Sequence, residues 1–228
     1  MLRAGRITPG QKRAIERHWP RYGLGPPPDS QVPRGEFRVI EPVVEFGRRA
    51  PLVVEIGFGR GDALLDAAAE FSDRDFIGIE VHAPGIGYLL ARVHDRGIEN
   101  VRVLFGDARE ALGQRFRAGS LEEVRIFFPD PWPKARHFKR RLVQPGFAAL
   151  AASRLRPGGR ILAATDDEGY AMQMLSVFEA VDSLANVAGS GAFWPGPSGR
   201  SHTRFEERGH RLGSTIRDLR FERPRATE

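Results

Sequence analysis

From Leu52 onward the chain alternates short apolar runs with longer amphipathic segments, and this alternation limits the fold more tightly than any other feature of the sequence. Leu52–Ile56 precedes an amphipathic stretch at 63–70, the run at 76–80 precedes one at 86–96, and Val101–Phe105 precedes one at 109–116. The rhythm continues through a strand at 124–128, a predicted helix over Pro145–Arg154, a strand at 160–164 and a helix at 167–178. Strands separated by helices pair in parallel, because each crossover helix returns the chain to the same end of the sheet. The expectation is an α/β chain with a mostly parallel sheet and helices on both faces. After Val181 the pattern weakens into a Gly- and Pro-rich loop at 189–199 and a last strand-like stretch at 214–221.

Ahead of this region, residues 23–35 hold Pro26, Pro27, Pro28 and Pro33 and read as a linker, since proline fixes φ and removes a hydrogen-bond donor. Residues 1–38 carry eight basic side chains (Arg3, Arg6, Lys12, Arg13, Arg17, Arg21, Arg34, Arg38) against three acids (Glu16, Asp29, Glu36). This segment therefore reads as a basic arm and linker suited to a polyanion, with residues 39–228 as a single catalytic domain. A chain of 228 residues, 41% of them hydrophobic, suffices for one sizeable core. No uninterrupted apolar stretch approaches the ~18 residues of a membrane span, and the opening residues contain no secretory apolar core. Cysteine is absent and the six histidines show no ligand spacing, so no metal site is expected. The expected location is the cytoplasm.

The first strand runs into Glu55-Ile56-Gly57-Phe58-Gly59-Arg60-Gly61-Asp62. Glycines just past a first strand let the backbone approach a ligand closely. A P-loop would need Gly-Lys-Ser/Thr, and a dinucleotide fingerprint would need glycine where Asp62 stands. Acids instead close three successive strands, Glu55, Glu80 and Asp107. Carboxylates suit hydroxyls, amines and a sulfonium cation, and they repel a pyrophosphate by roughly several tenths to a few kcal/mol per close contact. The set points to S-adenosylmethionine over Gly57, Gly59 and Gly61, with Glu80 toward the ribose hydroxyls, Asp107 toward the adenine amino group and Glu55 near the methionine ammonium. A single acid at a strand end is more often a helix N-cap or a surface charge; three in register with a glycine loop weigh the other way.

The fourth strand ends in Phe127-Phe128-Pro129-Asp130-Pro131-Trp132-Pro133-Lys134, followed by Ala135-Arg136-His137-Phe138-Lys139-Arg140-Arg141. Prolines on either side of Asp130 force a stiff, extended turn that holds a carboxylate and an aromatic ring at the carboxyl edge of the sheet. Five basic residues within 134–141 offer phosphate contacts, and Trp132 offers a stacking face.

Phe-Pro-Asp-Pro-Trp-x-Lys followed by Arg-His-x-Lys-Arg-Arg resembles the signature of the bacterial tRNA (guanine-N7)-methyltransferases. Further matches are Pro157-Gly158-Gly159, Ala164-Thr165-Asp166 with Tyr170, the run from Arg200 to Gly209, Gly213, and Thr8-Pro9-Gly10-Gln11 with Trp19 at the opening. The resemblance spans residues 6–223. It implies the Rossmann-like class I S-adenosylmethionine-dependent methyltransferase fold, with a seven-stranded sheet, and methyl transfer to N7 of a guanine in the tRNA variable loop (position 46). It also implies cofactor contacts at Glu55, Glu80 and Asp107, and a cofactor or catalytic role for Asp130. Substrate contacts are implied at Lys134, Asp166, Thr203, Arg204, Phe205 and Glu206, and an RNA backbone path along Arg136, Lys139, Arg140 and Arg141. No obligatory protein partner is implied. Ala135, Phe138, Ser201 and Arg204 depart from residues common in the family, which bears on the RNA contacts and not on the reaction.

Guanine N7 carries a lone pair and no proton, so its methylation needs no strong general base and depends on positioning. Asp130 is expected either to stabilise the positive charge that develops on the base or to hold the guanine by its N1 and N2 donors. The loop at 189–206 is expected to act as a lid through Thr203 and Glu206. Trp19 and Trp194 read equally as packing residues or base platforms. Two rivals share these cofactor residues, namely a methyltransferase of another RNA guanine and a non-catalytic RNA-binding subunit. An oxidoreductase is disfavoured by Asp62.

Overall fold

The computed structural model describes residues 6–30, 38–197 and 215–225. The seven strands make a mostly parallel sheet, and the chain divides into two compact units, residues 1–116 and 117–228.

In the first unit β1 (Leu52–Ile56), β2 (Asp75–Glu80) and β3 (Val101–Phe105) are parallel and lie in the order β3-β2-β1. The register places Glu55 opposite Gly78 and Glu80 opposite Phe105. Every residue of β1 and β2 is buried, as expected of central parallel strands that are apolar apart from Glu55 in β1 and the acids Asp75 and Glu80 at the two ends of β2. Three helices cross between or follow these strands: α3 (Asp62–Glu70), α4 (Ala83–Asp95) and α5 (Ala108–Arg115). The inward positions of α3 and α4, among them Leu64, Leu65, Ile86, Leu89, Leu90 and Val93, close over Val53, Phe76, Val101 and Val103 in one cluster. Fully burying such a side chain contributes about 1.5–3 kcal/mol.

Two further helices, which the apolar pattern does not disclose, precede β1. The short α2 covers Pro42–Phe46. The longer one, α1 (Pro9–Tyr22), begins at a capping box in which the Thr8 side chain accepts from the Gln11 N–H and the Gln11 side chain accepts from the Thr8 N–H. Its Ile15, Trp19 and Tyr22 belong to the cluster just described, so much of the segment read as a basic arm is helix packed on the core. α1 lies against α4 so closely that a β-carbon on Gly87 would stand 2.6 Å from the Gln11 carbonyl oxygen. His18 stacks on His94 with centroids 4.2 Å apart. Trp19 is a packing residue, 6% exposed, with its Nε1 donating to the Gly25 carbonyl at 2.8 Å. Beyond α1 the chain runs along β3, where Gly23 bridges to Val103 and the Leu24 N–H donates to the Val103 carbonyl at 2.8 Å.

In the second unit β4 (Leu121–Phe127) pairs in parallel with β5 (Leu155–Thr165), which pairs antiparallel with β7 (Arg217–Glu222), and β7 with the two-residue β6 (Ala185–Asn186). Two helices complete it, α6 (Pro145–Arg154) and α7 (Glu168–Glu179). Among the described residues no helix is long and apolar enough to cross a membrane.

Candidate active site

The first unit carries the expected cofactor residues. After β1 the chain turns through Gly57, Gly59 and Gly61, at φ of 68°, 57° and 73°, a left-handed series that side chains with a β-carbon rarely adopt. Nothing lies within 4 Å of a β-carbon built on Gly57 or Gly59, so this backbone faces open space. Glu80, 6% exposed, holds the loop from the end of the next strand: its Oε2 accepts from the Gly59 N–H at 2.8 Å, and its Oε1 accepts from the N–H groups of Val81 and His82 at 2.7 and 3.0 Å. The carboxylate is thereby fixed in place before any ligand arrives. Glu55 is 3% exposed at the end of β1. Asp107 follows β3, and the reading of such an acid as a helix cap applies to it directly. Its Oδ1 accepts from the N–H groups of Arg109 and Glu110 at 2.9 and 3.2 Å and so starts α5. Beside the loop, Asp62 pairs with Arg92, and the Arg60 guanidinium lies 3.8 Å over the Tyr88 ring.

An open glycine cradle bordered by three carboxylates fits a ligand of hydroxyls, amines and a cationic centre, and no lysine of the P-loop type stands in it to favour a phosphate. The residues present therefore fit S-adenosylmethionine. Among the described residues no cluster of His, Cys, Asp and Glu could hold a metal.

The second unit carries the Pro-Asp-Pro turn and the basic run. Phe128 and Trp132, on either side of Pro129-Asp130-Pro131, both have positive φ, 50° and 43°, although neither is glycine. Such conformations cost on the order of 1–3 kcal/mol each and persist only where the surroundings impose them. The Phe128 N–H donates to the Ala164 carbonyl at 2.8 Å, which keeps the turn beside the end of β5. Parallel pairing of β4 and β5 thus brings Asp130 and Asp166 to the carboxyl ends of neighbouring strands, both exposed. Asp167 is the N-cap of α7, accepting from the Tyr170 N–H at 2.7 Å. Trp132 meets the His137 ring edge-on at 5.7 Å, with the Arg140 guanidinium 5.0 Å over its face.

Residues 135–140 form a 3₁₀ helix in which Arg136, Lys139 and Arg140 are exposed, as is Lys134 before it. Arg141, expected with them on an RNA backbone, is instead 2% exposed and turned inward. Thr203, Arg204, Phe205 and Glu206, and with them the second half of the expected lid, lie outside the described residues. Sequence reasoning missed the inward role of Arg141 and its partner Gln173; the only signal was the apolar Leu142-Val143 that follows at once.

Known proteins bear on both units. The model of the family described as "Putative methyltransferase" matches residues 49–219. The chain is 51% identical over 223 residues to a tRNA (guanine-N(7)-)-methyltransferase of Methylococcus capsulatus, an alignment covering 98% of this chain and 92% of that protein. It is 49% identical over 228 residues to one of Xanthomonas campestris pv. campestris, covering 100% and 84%, and 46% identical over 221 residues to one of Escherichia coli, covering 97% and 89%. Among solved structures it is similar in fold to the 16S rRNA methyltransferase KamB, with a TM-score of 0.53 at 13% identity over 78% of this chain and 90% of that one. A 30S ribosomal A1408 methyltransferase from an uncultured bacterium gives 0.52 at 14% identity over 79% and 91%.

Proposed function

The chain belongs to the family of tRNA (guanine-N7)-methyltransferases, enzymes that use S-adenosylmethionine, and from that premise we propose that it methylates N7 of the guanine in the tRNA variable loop through the residues described above. Bound in the glycine cradle, the cofactor supplies a methyl group on a sulfonium. Gly57, Gly59 and Gly61 give backbone contact, Glu55 receives the ammonium, and Glu80 and Asp107 use the lone pairs left over from their backbone bonds for the ribose hydroxyls and the adenine amino group. Asp130 acts on the guanine. As N7 becomes cationic a fixed carboxylate stabilises it, and the same group can accept from N1 and N2 of the base. The base must leave its stack to be reached, which is part of the cost of recognition. Lys134, Asp166 and the segment from Thr203 to Glu206 contact the substrate, and Arg136, Lys139 and Arg140 follow the phosphates. We place this chemistry in residues 39–228, with the segment before it adding basic surface, and expect cytoplasmic activity on tRNA without an obligatory protein partner.

What carries the reading is the Phe128–Trp132 turn, where two non-glycine residues in the left-handed region hold an exposed acid stiffly at the carboxyl end of β4. The test is incubation with unmodified bulk tRNA and methyl-labelled S-adenosylmethionine, followed by digestion and mass spectrometry. Label in 7-methylguanosine of the variable loop supports it. Label on another base discards the site of methylation, and tight cofactor binding with no label favours a non-catalytic RNA-binding subunit.

A further inference from the structure

The cations at 134–141 do not form one surface. Lys134, Arg136, Lys139 and Arg140 are exposed, whereas the side chain of Arg141 is 3% exposed and spent on the protein itself. Its Nε donates to the Pro131 carbonyl at 2.7 Å and its Nη1 to the Gln173 side-chain oxygen at 2.6 Å, while its Nη2 lies 3.8 Å from Asp167 Oδ1. The guanidinium plane sits 3.8 Å from the Phe138 ring centroid and 4.7 Å from that of Tyr170. Its partners on α7 are themselves tied down. The Tyr170 hydroxyl accepts from the Val143 N–H at 3.1 Å, and the Gln173 amide donates to the Val143 carbonyl at 3.0 Å. Asp167, Tyr170 and Gln173 recur every three residues at the start of α7 and so present one face, which receives Arg141.

The acceptor on the turn matters. Pro129 and Pro131 have no N–H, so the turn cannot brace itself with its own donors at those positions. The Pro131 carbonyl belongs to the peptide plane that leads into Trp132, the residue at φ 43°. A donor that fixes this carbonyl fixes that plane, and with it the direction in which Asp130 leaves the sheet.

We propose that Arg141 is a positioning residue, a rigid tether from α7 to the Pro129-Asp130-Pro131 turn that holds Asp130 for reaction with the guanine, and not a contact to RNA; this rests on the reading of Asp130 given above. A rigid planar fork reaches Pro131, Gln173 and Asp167 from three separate nitrogens, whereas the three donors of lysine diverge from one nitrogen on a flexible stem.

The test is steady-state kinetics on the full chain with tRNA as the varied substrate, for Arg141→Lys, Gln173→Leu and their double variant. The tether predicts that kcat falls about tenfold or more in each single variant, with the KM for tRNA and the salt dependence of tRNA binding unchanged within about twofold. The double variant should lose little more than either single one. Gln173→Leu leaves all five cations in place, so its loss of kcat cannot come from a missing phosphate contact. Arg140→Ala is the contrasting case, expected to raise the KM for tRNA and lower the salt slope by about one. An Arg141→Lys variant with full kcat, or one whose defect is a raised KM with a reduced salt slope, overturns the proposal, as does a fully active Gln173→Leu. Asp130→Asn in the same assay reads the premise separately: full activity there removes the role of Asp130 and the proposal with it, whereas an inactive Asp130→Asn beside an active Arg141→Lys discards the tether alone.

Discussion

A β-carbon on Gly85 would stand 2.0 Å from the carbonyl oxygen of Gly59, so the first turn of α4 and the glycine loop after β1 meet backbone against backbone. The loop cannot shift toward α4, and α4 cannot carry a larger residue at that position without pushing the loop outward. Gly85→Ala is therefore expected to weaken S-adenosylmethionine binding at least tenfold by calorimetry. Overpacking of this kind also costs about 1–3 kcal/mol of stability, visible as a lower thermal midpoint. An unchanged cofactor affinity would remove the loop from the cofactor site.

Glu80 accepts from three backbone N–H groups at once, and this makes a distinct prediction for its amide isostere. Glu80→Gln replaces one acceptor oxygen with a donor that must face an N–H, leaving at least one buried donor without a partner at a cost of about 1–3 kcal/mol. The amides of Gly59, Val81 and His82 should exchange hydrogen faster in the variant even without cofactor, and affinity should fall at least tenfold. If exchange at these amides stays at its original rate, the carboxylate is not what orders the loop.

His18 sets a pH dependence. Burial is the main cause that holds its imidazole below the ordinary value of 6.5, with stacked His94 and neighbouring Arg17 acting in the same direction and Asp95 opposing them. A histidine with a lowered pKa binds its proton more readily in the unfolded state, so its contribution is complete above pH 6.5 and is lost as pH falls from there through the folded value. Undocking of α1, followed by the fluorescence of buried Trp19, should begin below that pH and be flattened in His18→Gln. Identical titrations of the two proteins would place the pH sensitivity elsewhere.

The strands of the first unit were legible because each is a short apolar run with no competing signal: β1 and β3 occupy the expected residues, and α6 likewise. The apolar pattern places the start of β5 at 160, and the strand begins instead at Leu155, since Pro157 and two glycines mask a stretch that the register irregularity at Leu121 and Glu123 accommodates. α1 was hidden for another reason. Its inward residues Ala14, Ile15, Trp19 and Tyr22 keep helical spacing but are few, Pro20 lies inside it, and its many charges dominate the pattern. For the site, the glycine loop and the terminal acids could be placed from strand ends alone, because parallel topology sends every such end to one edge. What each acid touches depends on backbone donors that no sequence pattern specifies, as the loop bonds of Glu80 and the cap at Asp107 illustrate. Arg141 and Arg140 are adjacent and chemically identical, and only tertiary packing on α7 separates the buried one from the exposed one.

The pairing of Gly23 and Leu24 with Val103 bears on self-association. β3 ends the strand order of its unit, and an outermost strand offers unpaired amides and carbonyls to any other chain that meets it. The segment leaving α1 occupies part of that edge, anchored by the indole of Trp19 on Gly25. A variant shortened to begin after residue 30 would retain every strand and every proposed cofactor residue and would still lose this guard. It would present a hydrogen-bonding template of largely apolar sequence, prone to aggregate at concentrations where the full chain stays dispersed.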